Sequence, residues 1–267
     1  MTWRYIDNMK NVLGRPRRLC RPIYFLTVFI LFFSFNSSGD QNPSLSASYA
    51  DSWQLDAIPE GQLEAENPVA SGFVFFDLPL PAWARGFRQP VAGAKVPNNE
   101  DQLPGAARRY RNGRHEGVDI YCAYGTPIRA AKDGYVLAVS ADYHELSKAF
   151  RDRLLGIAHK LVSTPAEVTD ILHGRRVIMD HGYTNGRWVI TIYSHLSEVE
   201  QDLKPGTFIK QGRVIGYSGN SGTSQAGTKN QTHLHFEIRV NDHYLGEGMS
   251  QKEAGRLYSA VMGGKQE

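Results

Sequence analysis

The run Thr232-His233-Leu234-His235-Phe236-Glu237 constrains this chain more than any other segment. Its composition is that of a β-strand. Successive side chains on a strand point to opposite faces, so His233 and His235 project together from one face. If one imidazole binds a metal, the other stands beside whatever the metal binds. Upstream, His115-Glu116-Gly117-Val118-Asp119 sets a second pair at an even spacing, which in extended backbone again shares a face. Tyr193-Ser194-His195-Leu196 lies between the two pairs, late in the most strand-like stretch of the chain. A fold that brings the three segments together makes a metal site with two spare histidines.

The rest of the sequence is consistent with such a fold. From Gly72 onward, short β-like runs alternate with turn residues: Pro127–Ala131, Gly134–Ser140, Arg176–Asp180, Trp188–Tyr193, Phe208–Lys210, Val214–Tyr217 and His233–Val240. Their spacing predicts a mainly β, antiparallel domain over 72–250. Residues 141–174 break the pattern. Leu146, Phe150, Leu154, Ala158 and Leu161 fall at helical spacing, and Thr164-Pro165-Ala166-Glu167 reads as a capping box with Pro at the first helical position. A helical hairpin is therefore expected between two strands, ending near His173-Gly174. Residues 251–267 read as a C-terminal tail.

Charge and hydropathy set the expected location. Residues 1–40 hold six of the 30 basic residues and two of the 27 acidic ones, so the remainder carries a net charge of −1 and no basic surplus for a nucleic-acid backbone. The basic cluster precedes Ile23–Phe35, a nearly unbroken apolar run of 13 residues. A membrane span needs about 20 such residues, whereas a shorter run behind arginines is the pattern of a secretory signal. Residues 1–40 thus read as a signal peptide or, since no clear cleavage site follows, an uncleaved signal anchor. Residues 41–71 read as a flexible linker rich in Ser, Asn, Glu and Pro. The protein is expected outside the cytoplasm, periplasmic or extracellular, meeting the membrane only through its N-terminal segment. Of the two cysteines, Cys20 precedes the apolar run, and Cys122 falls on the face opposite Asp119 and reads as core.

Two histidines and a carboxylate suit a catalytic zinc site, which keeps an open position for water and lowers its pKa to about 7. Imidazoles left unligated can then move protons or stabilise an oxyanion near neutral pH. The motifs, in this order, resemble the lysostaphin/LytM-type zinc metalloendopeptidases, which cut the peptide part of bacterial peptidoglycan. The family pattern is H-x-x-x-D, then Y-x-H-L, then a Gly-rich turn and H-L-H-F-E. Here these are His115 to Asp119, Tyr193 to Leu196, Gly219-Asn220-Ser221-Gly222-Thr223 and His233 to Glu237. Gly125-Thr126-Pro127-Ile128, Gly134-Tyr135-Val136 and Lys210-Gln211-Gly212 extend the likeness over about residues 85–245.

The resemblance implies the LytM-type fold and one zinc ion per chain, held by His115, Asp119 and His235. It implies His195 and His233 as the unligated catalytic pair, general base and oxyanion stabiliser, acting on a peptidoglycan peptide. The alternative within the same fold is a non-catalytic regulator that binds and activates wall amidases. Such relatives lack one or more of the five site residues, and all five are present here. Two features depart from the pattern, the 141–174 insertion and the lengthened loop Ser224–Thr232. They read either as cleft borders that narrow substrate choice or as a lid.

Other polar residues have plainer readings. His144, His159, His173 and His243 read as surface or packing residues, and His181 as a structural or cleft-wall group. Glu237 shares a face with His235 and reads equally as a hydrogen-bond partner of that ligand or as a surface carboxylate. Tyr193 either lines the cleft or packs. The bond cut and the oligomeric state are not legible.

Overall fold

A computed structural model of the chain describes residues 80–161 and 163–263. The expected signal segment 1–40 and linker 41–71 lie outside the described residues. The described part is mainly antiparallel β. In chain order the strands are β1 (Ala107–Arg108), β2 (Gly113–Arg114), β3 (Val118–Tyr121), β4 (Pro127–Arg129), β5 (Gly134–Val139), β6 (Val177–Thr184), β7 (Arg187–Ser194), β8 (Leu196–Val199), β9 (Phe208–Ile209), β10 (Val214–Ser218), β11 (His233–Val240) and β12 (His243–Tyr244). The helices are α1 (Lys148–Lys160), α2 (Ala166–Leu172) and α3 (Gln251–Met262).

The main sheet runs β12-β11-β7-β6-β5-β9, with β3 paired to the free half of β11, and a second sheet runs β4-β10-β8. Alternation explains why β11 is central. Leu234, Phe236, Ile238 and Val240 are fully buried in the main core with Val118, Ile120, Met179 and Tyr193, which leaves His233, His235 and Glu237 on the opposite face. Tyr193 therefore packs and does not line a cleft, its hydroxyl accepting from Ala131 N–H at 2.8 Å. Cys122 packs against the same core.

The inserted hairpin forms as expected, with one correction. Ser147 caps α1 by accepting from Phe150 N–H at 3.3 Å, but Thr164 makes no cap on α2. Its hydroxyl donates instead to the Arg111 carbonyl at 2.6 Å, a tertiary bond that competes with the local one. Ala158, Val168 and Leu172 bury against each other in a small core of the hairpin's own. The expected tail at 251–267 is also corrected, because its residues 251–262 are α3. Ser250 and Glu253 form the capping box there, and Ala254, Leu257, Tyr258 and Val261 are buried at helical spacing. Tyr258 OH accepts from Ile238 N–H at 3.1 Å, filling a gap in the ladder between the end of β3 at Phe236 and the start of β12 at Arg239.

Candidate metal centre

Register builds the centre. Pairing of β11 with β3 sets His235 opposite Asp119, and pairing with β7 sets His235 opposite Ser194. His115 arrives by another route than its spacing predicts. It lies between β2 and β3, off any strand, fixed by reciprocal backbone bonds of 2.8 Å with Gly105 and Ala106. The chain then passes so close to β11 that a Cβ at Gly117 would collide with the carbonyl of Phe236. The expected face-sharing of His115 and Asp119 is thus achieved by a turn and not by continuous extended backbone.

Three atoms converge. His115 Nε2, Asp119 Oδ1 and His235 Nδ1 lie 2.9 Å from one another in every pairing. Their outer partners fix which nitrogens carry protons. His115 Nδ1 donates to the Leu103 carbonyl at 3.0 Å and His235 Nε2 donates to Glu237 Oε1 at 2.9 Å. In their neutral tautomers both imidazoles therefore aim lone pairs at each other and at a carboxylate oxygen. Three electron-pair donors this close repel one another unless a cation sits among them, so the donor set fits a metal of the zinc class.

The electrostatics agree. Burial opposes ionisation of Asp119, yet His115 and His235 hold its carboxyl well below the usual range, and Arg108 Nη2 donates to Oδ2 at 3.1 Å. Burial pushes His115 below its ordinary pKa. Burial also acts downward on His235, but hydrogen bonds to Asp119 and Glu237 raise it to about 9. A site that holds a proton this firmly on a buried imidazole favours a cation, and proton and metal compete for the same Nδ1.

His195 and His233 stand at the rim. His195 lies between β7 and β8 at φ 63°, a left-handed backbone that turns its side chain away from Tyr193 and towards the centre. Its ring centroid is 4.9 Å from His233 and 5.7 Å from His235. His195 Nδ1 donates to the Ser221 carbonyl at 2.8 Å and His233 Nδ1 to the Gln231 carbonyl at 2.7 Å, so both Nε2 atoms keep lone pairs. His233 Nε2 is 3.7 Å from Asp119 Oδ1. Burial, reinforced by His233 and His235, holds His195 well below the ordinary histidine pKa, in its proton-accepting form.

All five residues singled out in the sequence are thus brought together. Others are not: His181 bonds Asp133 and Thr191, His144 and His159 bond nearby carbonyls, and His243 bonds Glu247. Of the two readings of His173, surface or packing, the structure shows the second, and places it against the centre. It is buried, with its ring 5.3 Å from His235 and Nε2 3.3 Å from Glu237 Oε1. Glu237 is fully buried, not a surface carboxylate, and Arg239 Nη1 donates to its other oxygen at 2.9 Å. Asn220, also missed, gathers the lengthened loop by placing its amide nitrogen 2.7–3.0 Å from the carbonyls of Gln225, Thr228 and Asn230.

Comparison with known proteins gives a match of residues 113–246 to the model for peptidase family M23. An uncharacterized metalloprotease of Haemophilus influenzae is 30% identical over 62% of this chain and 25% of its own length. The DD-carboxypeptidase/endopeptidase Mpg of Neisseria meningitidis is 31% identical over 48% of this chain and 20% of its own. The chain thus spans a quarter or less of these relatives. The solved catalytic domain of lysostaphin from Staphylococcus simulans aligns at a TM-score of 0.31 and 20% identity, covering 60% of this chain and 84% of that one.

Proposed function

The chain belongs to peptidase family M23, and from that premise we propose that it is an exported, zinc-dependent endopeptidase that hydrolyses peptide bonds of bacterial peptidoglycan. The observation that carries this reading is the convergence of His115 Nε2, Asp119 Oδ1 and His235 Nδ1 at 2.9 Å with two unligated imidazoles beside them. A relative named a DD-carboxypeptidase/endopeptidase supports a peptide substrate. Export is argued from the basic cluster and the apolar run at the N-terminus.

In this reading His115, Asp119 and His235 hold one zinc ion, which when bound supplies Lewis acidity and lowers the pKa of water to about 7. His195 and His233 divide the proton work. Each keeps Nε2 free because Nδ1 is spent on a backbone carbonyl, so each can take a proton from the attacking water. Once protonated, the same atom donates to the oxygen that becomes negative as the scissile carbonyl is attacked. Tyr121 stacks on the His233 ring at 5.1 Å and holds its plane. The two departures from the family pattern border a groove beside Ser221, lined by Glu145 of the insertion, by Arg175 just after it, and by Thr228 and Lys229 of the long loop. Their place there supports the cleft-border reading over a lid.

The test is mass spectrometry of muropeptides released from purified walls, with metal analysis of the same preparation. One zinc per chain is expected, with cleaved cross-link or stem peptides from the wild type and at most a trace from His233→Ala. Equal release by both, or no zinc in the wild type, overturns the assignment.

A further inference from the structure

The helical insertion ends on the metal centre. α2 stops at Leu172, His173 is its C-cap, and Gly174 at φ 67° turns the chain against Ser221, where a Cβ would meet backbone at 2.5 Å. From that corner the His173 carbonyl accepts from His195 N–H at 2.9 Å, and the Arg175 carbonyl accepts from Leu196 N–H at 3.0 Å. The same three residues thus hold the backbone that gives His195 its left-handed turn, while the His173 ring packs 5.3 Å from that of His235.

We propose that His173 is a positioning residue for the metal ligand His235, acting through Glu237, and that the insertion is a fixed brace of the metal centre. This rests on zinc being held by His115, Asp119 and His235. Glu237 Oε1 receives two imidazole nitrogens, His235 Nε2 at 2.9 Å and His173 Nε2 at 3.3 Å, while Oε2 receives Arg239. A carboxylate held from three sides keeps its orientation, and it fixes both the tautomer and the ring plane of His235. Packing alone does not account for an imidazole here. Its Nδ1 is buried with no hydrogen-bond partner, an unfavourable arrangement that an apolar side chain would avoid. A second metal held by His173, His235 and Glu237 is the other reading, since their ligand atoms lie within 4.8 Å of one another. The Arg239 guanidinium on Glu237 and the proton of His235 Nε2 weigh against a second cation.

The brace is anchored at both ends of the centre. On the His115 side, Arg111 is buried and bonds Thr169, while Thr164 bonds the Arg111 carbonyl. On the His195 side, Arg151 donates to the Gly222 carbonyl and Glu145 accepts from Gly222 N–H at 3.0 Å. A segment tied in this way holds its position when substrate enters.

The experiment measures zinc affinity of the full chain by chelator competition, and melting temperature with and without zinc, in the wild type, His173→Phe and His173→Gln. His173→Phe keeps a ring against His235 and removes the Nε2 contact with Glu237; His173→Gln keeps a donor and guards against a Phe variant that fails to fold. Zinc affinity is expected to fall about 10- to 100-fold in His173→Phe. The rise in melting temperature on adding zinc should shrink with it, stoichiometry should stay at one, and His173→Gln should recover most of the loss. Unchanged affinity in His173→Phe overturns the inference alone, as does an equal drop in melting temperature with and without zinc. Two zinc ions in the wild type, one lost on substitution, replaces it with a second metal site. No zinc in the wild type overturns the metal site itself and this inference with it.

Discussion

β11 is buried along both faces, and the two faces are closed by different physics. On one, Leu234, Phe236, Ile238 and Val240 meet the core through contacts that have no direction. On the other, His233, His235 and Glu237 are also buried, but they are held by directed bonds: His233 Nδ1 to a backbone carbonyl, and His235 to Asp119 and Glu237. Burial alone does not distinguish a core from a site. An apolar face loses stability gradually as volume is removed, whereas the polar face loses its chemistry when one partner goes.

Substitutions on the polar face should give the largest changes, and in function before stability. Asp119→Ala removes the oxygen shared by His115 and His235, so zinc and wall hydrolysis should both be lost while the circular dichroism spectrum stays β. His233→Ala should lower hydrolysis by about 10²–10⁴-fold with zinc retained. If both variants hydrolyse walls at the wild-type rate, the faces do not differ as stated. On the apolar face Phe236→Ala should cost about 3–5 kcal/mol, read by urea unfolding, because Phe236 is fully enclosed and its ring lies 5.2 Å from Tyr193. Wild-type stability in that variant would mean the face is not packed.

What the sequence could show follows the same division. Alternation sets β11 at His233–Val240, as the spacing predicts, because one period serves both faces. The five site residues were legible because their types and order have few other uses. His173 was not, because nothing local to a helix end distinguishes a ring that meets His235 from one that meets solvent. The same holds for Glu237, which meets His173 at the end of α2 and the close-packed backbone at Gly117, both distant in sequence. α3 was legible in principle, since Ser250 and Glu253 have capping-box spacing and Ala254, Leu257, Tyr258 and Val261 helical spacing. Thr164 shows the converse, a sound local cap signal overridden by a bond to Arg111.

A smaller effect comes from the join between the two faces. Tyr258→Phe removes the acceptor for Ile238 N–H without changing volume, and should cost about 1–3 kcal/mol because a buried donor is left unpaired. Hydrolysis per folded molecule should not change. A loss of activity larger than the loss of folded protein would show that the two faces are coupled through the ladder.

The smallest effect tests whether a histidine needs the metal face to matter. His181 is also largely buried, but its Nδ1 donates to the Asp133 carbonyl and its Nε2 meets the Thr191 hydroxyl at 2.8 Å, so both nitrogens are occupied in the neutral ring. Burial lowers its pKa from 6.5 to about 4. The folded state therefore resists a proton that the unfolded chain accepts, so the neutral ring's contribution is intact above pH 6.5. It declines as pH falls through that value and is gone near pH 4. Partial exposure reduces the effect to about 2 kcal/mol. Wild type minus His181→Gln isolates it from the other buried histidines, which titrate in both proteins. The difference in unfolding free energy should shift between pH 7 and pH 4, with zinc content and hydrolysis at pH 7 unchanged. A pH-independent difference would show that His181 titrates alike folded and unfolded, and a loss of zinc would place it on the metal face after all.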